Sequence, residues 1–357
     1  MTQKLTHTSP LIRYMGRIAH QPDGAHFYYA GSLAQFRFTG SRFEVEITHK
    51  NVWGVHSLTY VLDGRVGKLP LLYANDGKRM RYLLAENLDP VQEYSLIFYK
   101  QADASHALTL HAAETDGTFL MPPPAPALKL EFYGDSVTAG VCCEADEFLG
   151  CADPAGADCV YDNAWYSYAM QTARALDAQC HLIAQGGIAV YDRTGYFYIP
   201  ETVGMESVYD KLCYFPEAGE LTDWDFSRYT PDYLIFALGQ NDNHDPAQPQ
   251  SCIDIHDPAV RAHWMDGYAG IARSVLDRYE KKPVCIFLLT VLCHDHGWDE
   301  AAHEVSRRLA GEGYDAHYLR FTRCGSATSG HPRRAEQQEM AQELTAFIRQ
   351  HQEMNER

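Results

Sequence analysis

A serine held between two glycines is the first feature of this chain that could do chemistry. Gly134-Asp135-Ser136-Val137-Thr138-Ala139-Gly140 follows the apolar run LKLEFY directly. Glycine permits a tight turn there and puts the Ser136 hydroxyl at the edge of a sheet. A serine hydroxyl is a weak nucleophile at neutral pH and needs a base beside it. His331, in Ser329-Gly330-His331-Pro332, is the sole histidine that combines a loop position with the junction to the final helix, so it is the candidate base. Two more segments follow apolar runs in the same way, Gln185-Gly186-Gly187-Ile188 and Leu238-Gly239-Gln240-Asn241-Asp242. The chemistry open to such a set is attack on an ester carbonyl, with preset hydrogen-bond donors stabilising the oxyanion. Asp135 and Asp242 are read as acceptors that pin their own loops through backbone N–H groups.

Two kinds of element must position these residues. Residues 26–112 alternate apolar and polar side chains, as at Phe43, Val45 and Ile47, with turn signals at Thr39-Gly40, Asp63-Gly64 and Asn75-Asp76-Gly77. That pattern predicts an antiparallel β-sandwich over 1–120. Met121-Pro122-Pro123-Pro124-Ala125-Pro126 cannot donate ladder hydrogen bonds and marks a linker over 121–127. From 128 to 357, short apolar runs (LKLEFYG, HLIAQ, DYLIFALG, VCIFLLTVL) alternate with amphipathic stretches, which predicts an α/β domain with a parallel sheet flanked by helices. Helices are expected from about Pro258 to Tyr279, after Asn163, and after Pro332. Ligands of such sheets bind beyond the carboxyl ends of the strands, where the blocks above fall.

Composition removes other classes. The 357 residues carry 47 acidic and 30 basic side chains, a net charge of −17 that repels nucleic-acid phosphates and anionic membranes. The longest apolar run, Val284 to Cys293, is too short to span a bilayer, which takes about 20 residues. The N-terminal residues lack the apolar core of an export signal, so the expected location is the cytoplasm and the 10 cysteines are expected as free thiols. Cys142, Cys143, Cys151 and Cys159 lie close together without Cys-x-x-Cys spacing, so no zinc is expected there.

Taken together, the blocks resemble the SGNH, or GDSL-type, hydrolase superfamily: Gly-Asp-Ser, a later glycine, Gly-x-Asn-Asp and a C-terminal histidine, in that order. With a sandwich ahead of them, the arrangement looks like carbohydrate esterase family 2, in which a jelly-roll domain precedes an SGNH domain of flavodoxin-like fold. The resemblance implies a Ser136–His331 pair and an oxyanion hole made by the Ser136 N–H, the Gly187 N–H and the Asn241 side-chain amide. Gly186 fits that role equally on spacing; the Gly-Ile that follows favours Gly187. In one respect the chain departs from the superfamily. Thr328 stands where an aspartate three residues before the histidine usually orients it, and no acidic residue occurs between Asp315 and Glu336. Either a backbone carbonyl near Thr328 accepts the imidazole N–H or a carboxylate from elsewhere folds in. Serine–histidine dyads without this aspartate occur in carbohydrate esterase family 2.

The expected activity is removal of O-acetyl groups from acetylated xylo- or manno-oligosaccharides, with no cofactor or metal. A lipid-type esterase or thioesterase on the same scaffold, or a carbohydrate-binding protein with an inactive hydrolase domain, are the alternatives. Tyr191 and Trp298 are candidates to stack on a sugar ring, although packing is the default for both. His294-Asp295-His296 has two metal-type ligands, but alternate residues after a strand point apart, so a solvated loop is expected. The sequence does not fix an oligomeric state.

Overall fold

The computed structural model describes residues 2–355. Its contacts divide the chain into two units. The first comprises Met1–Ala125, Asp158–Val160 and Leu212–Thr222; the second comprises Pro126–Ala157, Tyr161–Lys211 and Asp223–Arg357.

The first unit is built from two antiparallel sheets. One has the order Ile18–Gln21, Gly24–Phe27, His106–Thr115, Phe43–Asn51, Met80–Ala85, with Gln3–Thr6 also paired to His106–Thr115. The other runs Phe119–Leu120, Leu33–Phe38, Tyr94–Tyr99, His56–Leu62, Arg65–Leu71, with Arg13–Met15 added on Leu33–Phe38. Period-2 alternation decides which side chains enter the core. In Phe43–Asn51 the residues Phe43, Val45 and Ile47 are buried, and Glu44, Glu46 and Thr48 between them are half-exposed. They join Phe27, Phe36, Phe38 and Phe98 in one cluster fed by both sheets. Each such ring buried contributes about 2–3 kcal/mol, which makes this aromatic cluster the unit's main adhesive.

The second unit has a five-stranded parallel sheet: β1 (Leu128–Gly134), β2 (Ala178–Ala184), β3 (Tyr233–Ala237), β4 (Val284–Leu289) and β5 (Ala316–Arg320), in the order β2-β1-β3-β4-β5. That is the flavodoxin-like order, in which the winding reverses at β1 and opens a crevice at the strands' carboxyl ends. Its helices are α1 (Ser136–Ala139), α2 (Tyr168–Ala175), α3 (Pro258–Leu276), α4 (His296–Gly311) and α5 (Arg334–Asn355); α2 packs with α5, and α3 with α4.

Local chemistry explains the helix ends. Asp257 caps α3 by accepting the Ala259 and Val260 N–H groups ahead of its buried stripe Trp264, Tyr268, Ile271, Ala272, Val275 and Leu276. The helix stops at Leu276, short of the Tyr279 expected from periodicity. Strand β5 and helix α4 lie outside the sequence expectations. β5, with the sequence AHYLR, is only half-buried and contains no apolar run. The buried face of α4 mixes Trp298, Val305 and Leu309 with the small residues Gly297, Ala301, Ala302 and Ser306.

Candidate active site

β1 delivers the serine. Its last residue, Gly134, lies so close to the turn that a Cβ there would meet Thr138 Oγ1 at 2.2 Å. Asp135 then caps α1, one carboxylate oxygen accepting the Val137 N–H at 3.0 Å and the other accepting the Gln240 side-chain amide. Burial pushes the Asp135 carboxyl up to about 6, against the pull of these bonds. Ser136 follows at 6% exposure. Among the described residues its hydroxyl and its own N–H have no protein partner, which leaves both free for a ligand.

The histidine comes from the loop ahead of α5. His331 Nδ1 lies 2.6 Å from Asp153 Oδ2, and its backbone N–H donates to Asp153 Oδ1 at 3.0 Å. The second possibility left open by Thr328 is therefore the one realised: a carboxylate folds in from elsewhere, 178 positions upstream. The threonine has its own part in this. Its hydroxyl accepts the Gly150 N–H at 3.0 Å, holding the segment that carries Asp153, while its N–H donates to Glu336 Oε1 at 2.7 Å. Gly330 is obligatory beside it, since a Cβ there would lie 2.4 Å from Asp153 Oδ1.

Arg333, wholly buried, closes the arrangement. Its guanidinium donates to Asp153 Oδ1 at 2.6 Å and to the His331 carbonyl at 2.9 Å. Burial alone raises the Asp153 carboxyl, but the hydrogen bond and charge of His331, joined by Arg333, hold it well below the usual carboxylate range. An ionised Asp153 keeps the ring proton on Nδ1 and leaves a lone pair on Nε2, which has no protein partner among the described residues.

Ser136 and His331 are brought to one edge of the sheet without being hydrogen-bonded to each other. The start of α5 is laced onto α1 and the turn after it: Gln337 Nε2 donates to the Val137 carbonyl at 3.2 Å, Arg334 N–H to the Cys143 carbonyl at 2.8 Å and Arg333 to the Cys142 carbonyl at 3.4 Å. Catalytic hydrogen bonds of this kind commonly close only when substrate is bound.

The donors sit at the neighbouring strand ends. Gly187, beyond β2, has φ +77°, and a Cβ there would meet the Tyr196 Cβ at 2.9 Å. Its N–H has no protein acceptor among the described residues. Asn241, beyond β3, donates through Nδ2 to the Ile188 carbonyl at 2.9 Å, which keeps its amide alongside Gly187-Ile188 with a second N–H to spare. Gln240 ties these ends together: besides bonding Asp135, its oxygen accepts the Thr290 N–H at 3.0 Å. Asp242 is a structural acceptor for the Val190 N–H and Trp264 Nε1, each at 2.8 Å, and burial pushes its carboxyl up to about 7.

A serine, a carboxylate-held imidazole and free N–H donors, set at the switch point of a flavodoxin-like sheet, are the parts of an acyl-transfer site. The family model for the carbohydrate esterase 2 N-terminal domain matches residues 14–124. The acetylxylan esterase / glucomannan deacetylase of Cellvibrio japonicus is 26% identical over 361 residues, covering 98% of this chain and 91% of that protein. The cellulase/esterase CelE of Acetivibrio thermocellus is 29% identical over 238 residues, 66% of this chain and 27% of that protein. A family two carbohydrate esterase from Clostridium thermocellum, solved in complex with cellohexaose, has a TM-score of 0.78 at 23% identity, covering 95% of this chain and 98% of that chain, a likeness that shows the fold. Its N-terminal part matches the carbohydrate esterase 2 family model, and the whole chain is similar to carbohydrate esterases of that family.

The surroundings of the nucleophile decide which ester fits, and both sugar-stacking candidates are engaged in packing. Trp298 is packed inside a helix. It lies in α4 at 4% exposure, edge-on to Trp264 at 5.3 Å, because the chain turns helical at His296. Tyr191 is half-buried, with one face stacked on His263 at 4.4 Å and its hydroxyl donating to the His263 carbonyl at 2.7 Å. Both line a cleft of about 560 Å³ together with Arg193, Thr194 and Asp242. Sequence reading passed over Tyr196, which is 50% exposed, stacked on His244 at 4.0 Å, and anchored by its N–H to the Gly187 carbonyl at 2.8 Å. The aromatic run Tyr191 to Tyr198 was the available signal.

Asn241→Ala is expected to lower kcat by about 10²–10³-fold with KM little changed, the usual cost of one oxyanion donor. Steady-state kinetics on a nitrophenyl acetate ester measures this, and an unchanged kcat excludes Asn241 from the hole.

Proposed function

We propose that this carboxylic ester hydrolase removes O-acetyl groups from acetylated xylo- or manno-oligosaccharides through an acetyl-enzyme on Ser136. The observation that carries the reading is the His331 imidazole, held through Nδ1 by Asp153 at the sheet edge where the Ser136 hydroxyl stands free. Ser136 Oγ attacks the acetyl carbonyl carbon and gives its proton to His331 Nε2. The oxyanion takes hydrogen bonds from the N–H groups of Ser136 and Gly187 and the amide of Asn241. Collapse expels the sugar hydroxyl, which recovers the proton from His331. Water, activated by the same imidazole, then adds to the acetyl-enzyme and acetate leaves.

The names of the relatives, an acetylxylan esterase / glucomannan deacetylase and a cellulase/esterase, support a carbohydrate ester as substrate. Exposed Tyr196 next to Gly187 offers a ring face for a pyranose, and the polar Tyr- and Asp-rich loop around it suits a sugar better than a long acyl chain. The reading includes a cytoplasmic site of action on imported oligosaccharides, and ten free thiols suit a reducing compartment. An inactive sugar-binding protein drew its appeal from the missing aspartate, whose place Asp153 fills.

Two measurements test the assignment: acetate release from acetylated oligosaccharides, with the position followed by NMR, and kcat/KM for acetyl against octanoyl nitrophenyl esters. Acetyl is expected to be preferred by about 10²-fold, a ratio within reach of pocket discrimination. A preference for octanoyl, or no acetate from any acetylated sugar, overturns it.

A further inference from the structure

Away from the nucleophile, the fold assembles a second group of reactive side chains. The sequence sets His294 and His296 side by side as ligand types, but Asp295 between them caps α4 through the Gly297 N–H at 2.7 Å and turns His296 toward two thiols. One donor atom from each of Cys293, His296 and Cys324 lies within 4.8 Å of the other two. Cys293 and Cys324 are buried and His296 is exposed. The Cys324 thiol shares a hydrogen bond with Cys293, which holds it well above the ordinary thiol range.

The backbone is shaped for this approach. Gly325, next to Cys324, has φ +76°, and a Cβ there would crowd His296 Cε1 at 3.1 Å and Nε2 at 3.2 Å. Its N–H donates to the Val291 carbonyl at 3.2 Å, drawing the loop after β5 against the loop after β4. A glycine is thus what lets the imidazole edge face the second thiol.

We propose that Cys293, His296 and Cys324 bind a Zn²⁺ ion that clamps the loop after β4 to the loop after β5. Two thiolates and an imidazole form a donor set suited to zinc, and the thiolates balance its charge. Bonds of 2.0–2.3 Å in a tetrahedron put donors about 3.5 Å apart, so the three atoms need close by little more than 1 Å. The exposed side at His296 leaves the fourth position to water. Coordination through Nε2 leaves the ring proton on Nδ1, which now accepts from Arg320 at 3.0 Å. Arg320 must swing away, and it can: its side chain is 52% exposed and retains Asp299 as a partner at 3.2 Å. The clamped loop after β5 continues into Thr328 and His331, so the ion would brace the segment that presents the imidazole.

The test is made on the full chain purified under reducing conditions. Zinc content after gel filtration is expected at one ion per chain, and Co²⁺ substitution is expected to give thiolate-to-cobalt charge-transfer absorption. Both should vanish in C293S and C324S and persist in C142S, which removes the one other cysteine that, among the described residues, lies near potential ligands, Asp153 and His331. Zn²⁺ should raise the thermal midpoint of the parent protein and not that of C324S. Should a serine variant fail to fold, alkylation of the parent protein decides the matter, with Zn²⁺ protecting Cys293 and Cys324 specifically. Metal uptake unaffected by either substitution, no uptake at all, or a Cys293–Cys324 disulfide in the freshly isolated protein would overturn the proposal.

Discussion

Ser136→Ala is expected to lower kcat for acetate release by about 10⁵-fold or more while the oligosaccharide still binds, because the nucleophile is the one part of the site that no neighbour can replace. His331→Ala should cost about as much, and the double variant scarcely more, since the two residues act as a unit. The Ser136 hydroxyl has no structural bond to lose, so thermal stability should be nearly unchanged. Acetate release and a melting curve on the same preparations check both statements. Turnover that survives in Ser136→Ala would remove the acetyl-enzyme from the mechanism.

Asp153→Asn is the more diagnostic change because it affects two properties through two partners. An asparagine can offer its N–H to His331 Nδ1, which puts the ring proton on Nε2 and leaves no lone pair for Ser136; kcat is expected to fall by about 10³–10⁴-fold with KM little changed. The same change leaves the buried Arg333 guanidinium without its counter-charge, a loss on the order of 3 kcal/mol of stability. The stability part depends on pH in a definite sense. The folded-state pKa of Asp153 is depressed, so its contribution is complete above the unfolded value of about 4 and is lost as pH falls through the folded value. The gap in unfolding free energy between parent and variant should therefore be widest near neutrality and narrow below about pH 4. A full kcat in Asp153→Asn would reduce the pair to a serine–histidine dyad, with Asp153 serving Arg333 alone.

Arg333 and Thr328 explain why a single-motif reading of the acid fails. At position 328, where an acid facing the imidazole would be expected, a threonine hydroxyl instead secures Gly150 and so the segment leading to Asp153. Nothing in Cys151-Ala152-Asp153-Pro154 distinguishes that aspartate from the other acids of a chain carrying 47. Trp298 follows its default of packing, within a helix that the sequence analysis leaves out. Trp298, Ala301, Ala302, Val305 and Leu309 recur at helical spacing along α4, a stripe that the sequence analysis does not use.

Neighbours along the chain enforce the local part of the architecture. Alternation at Phe43, Val45 and Ile47 decides the sandwich strands, and the glycines at 134 and 187 decide where the backbone can turn tightly enough to expose a serine and an N–H. The packing of distant elements is what brings Asp153 to His331, Tyr196 beside Gly187 and His296 near Cys324. Periodicity and turn chemistry are short-range properties, carried by a few consecutive residues. A contact across 178 positions depends on how whole strands and helices pack, and many carboxylates could have filled it until packing selected one.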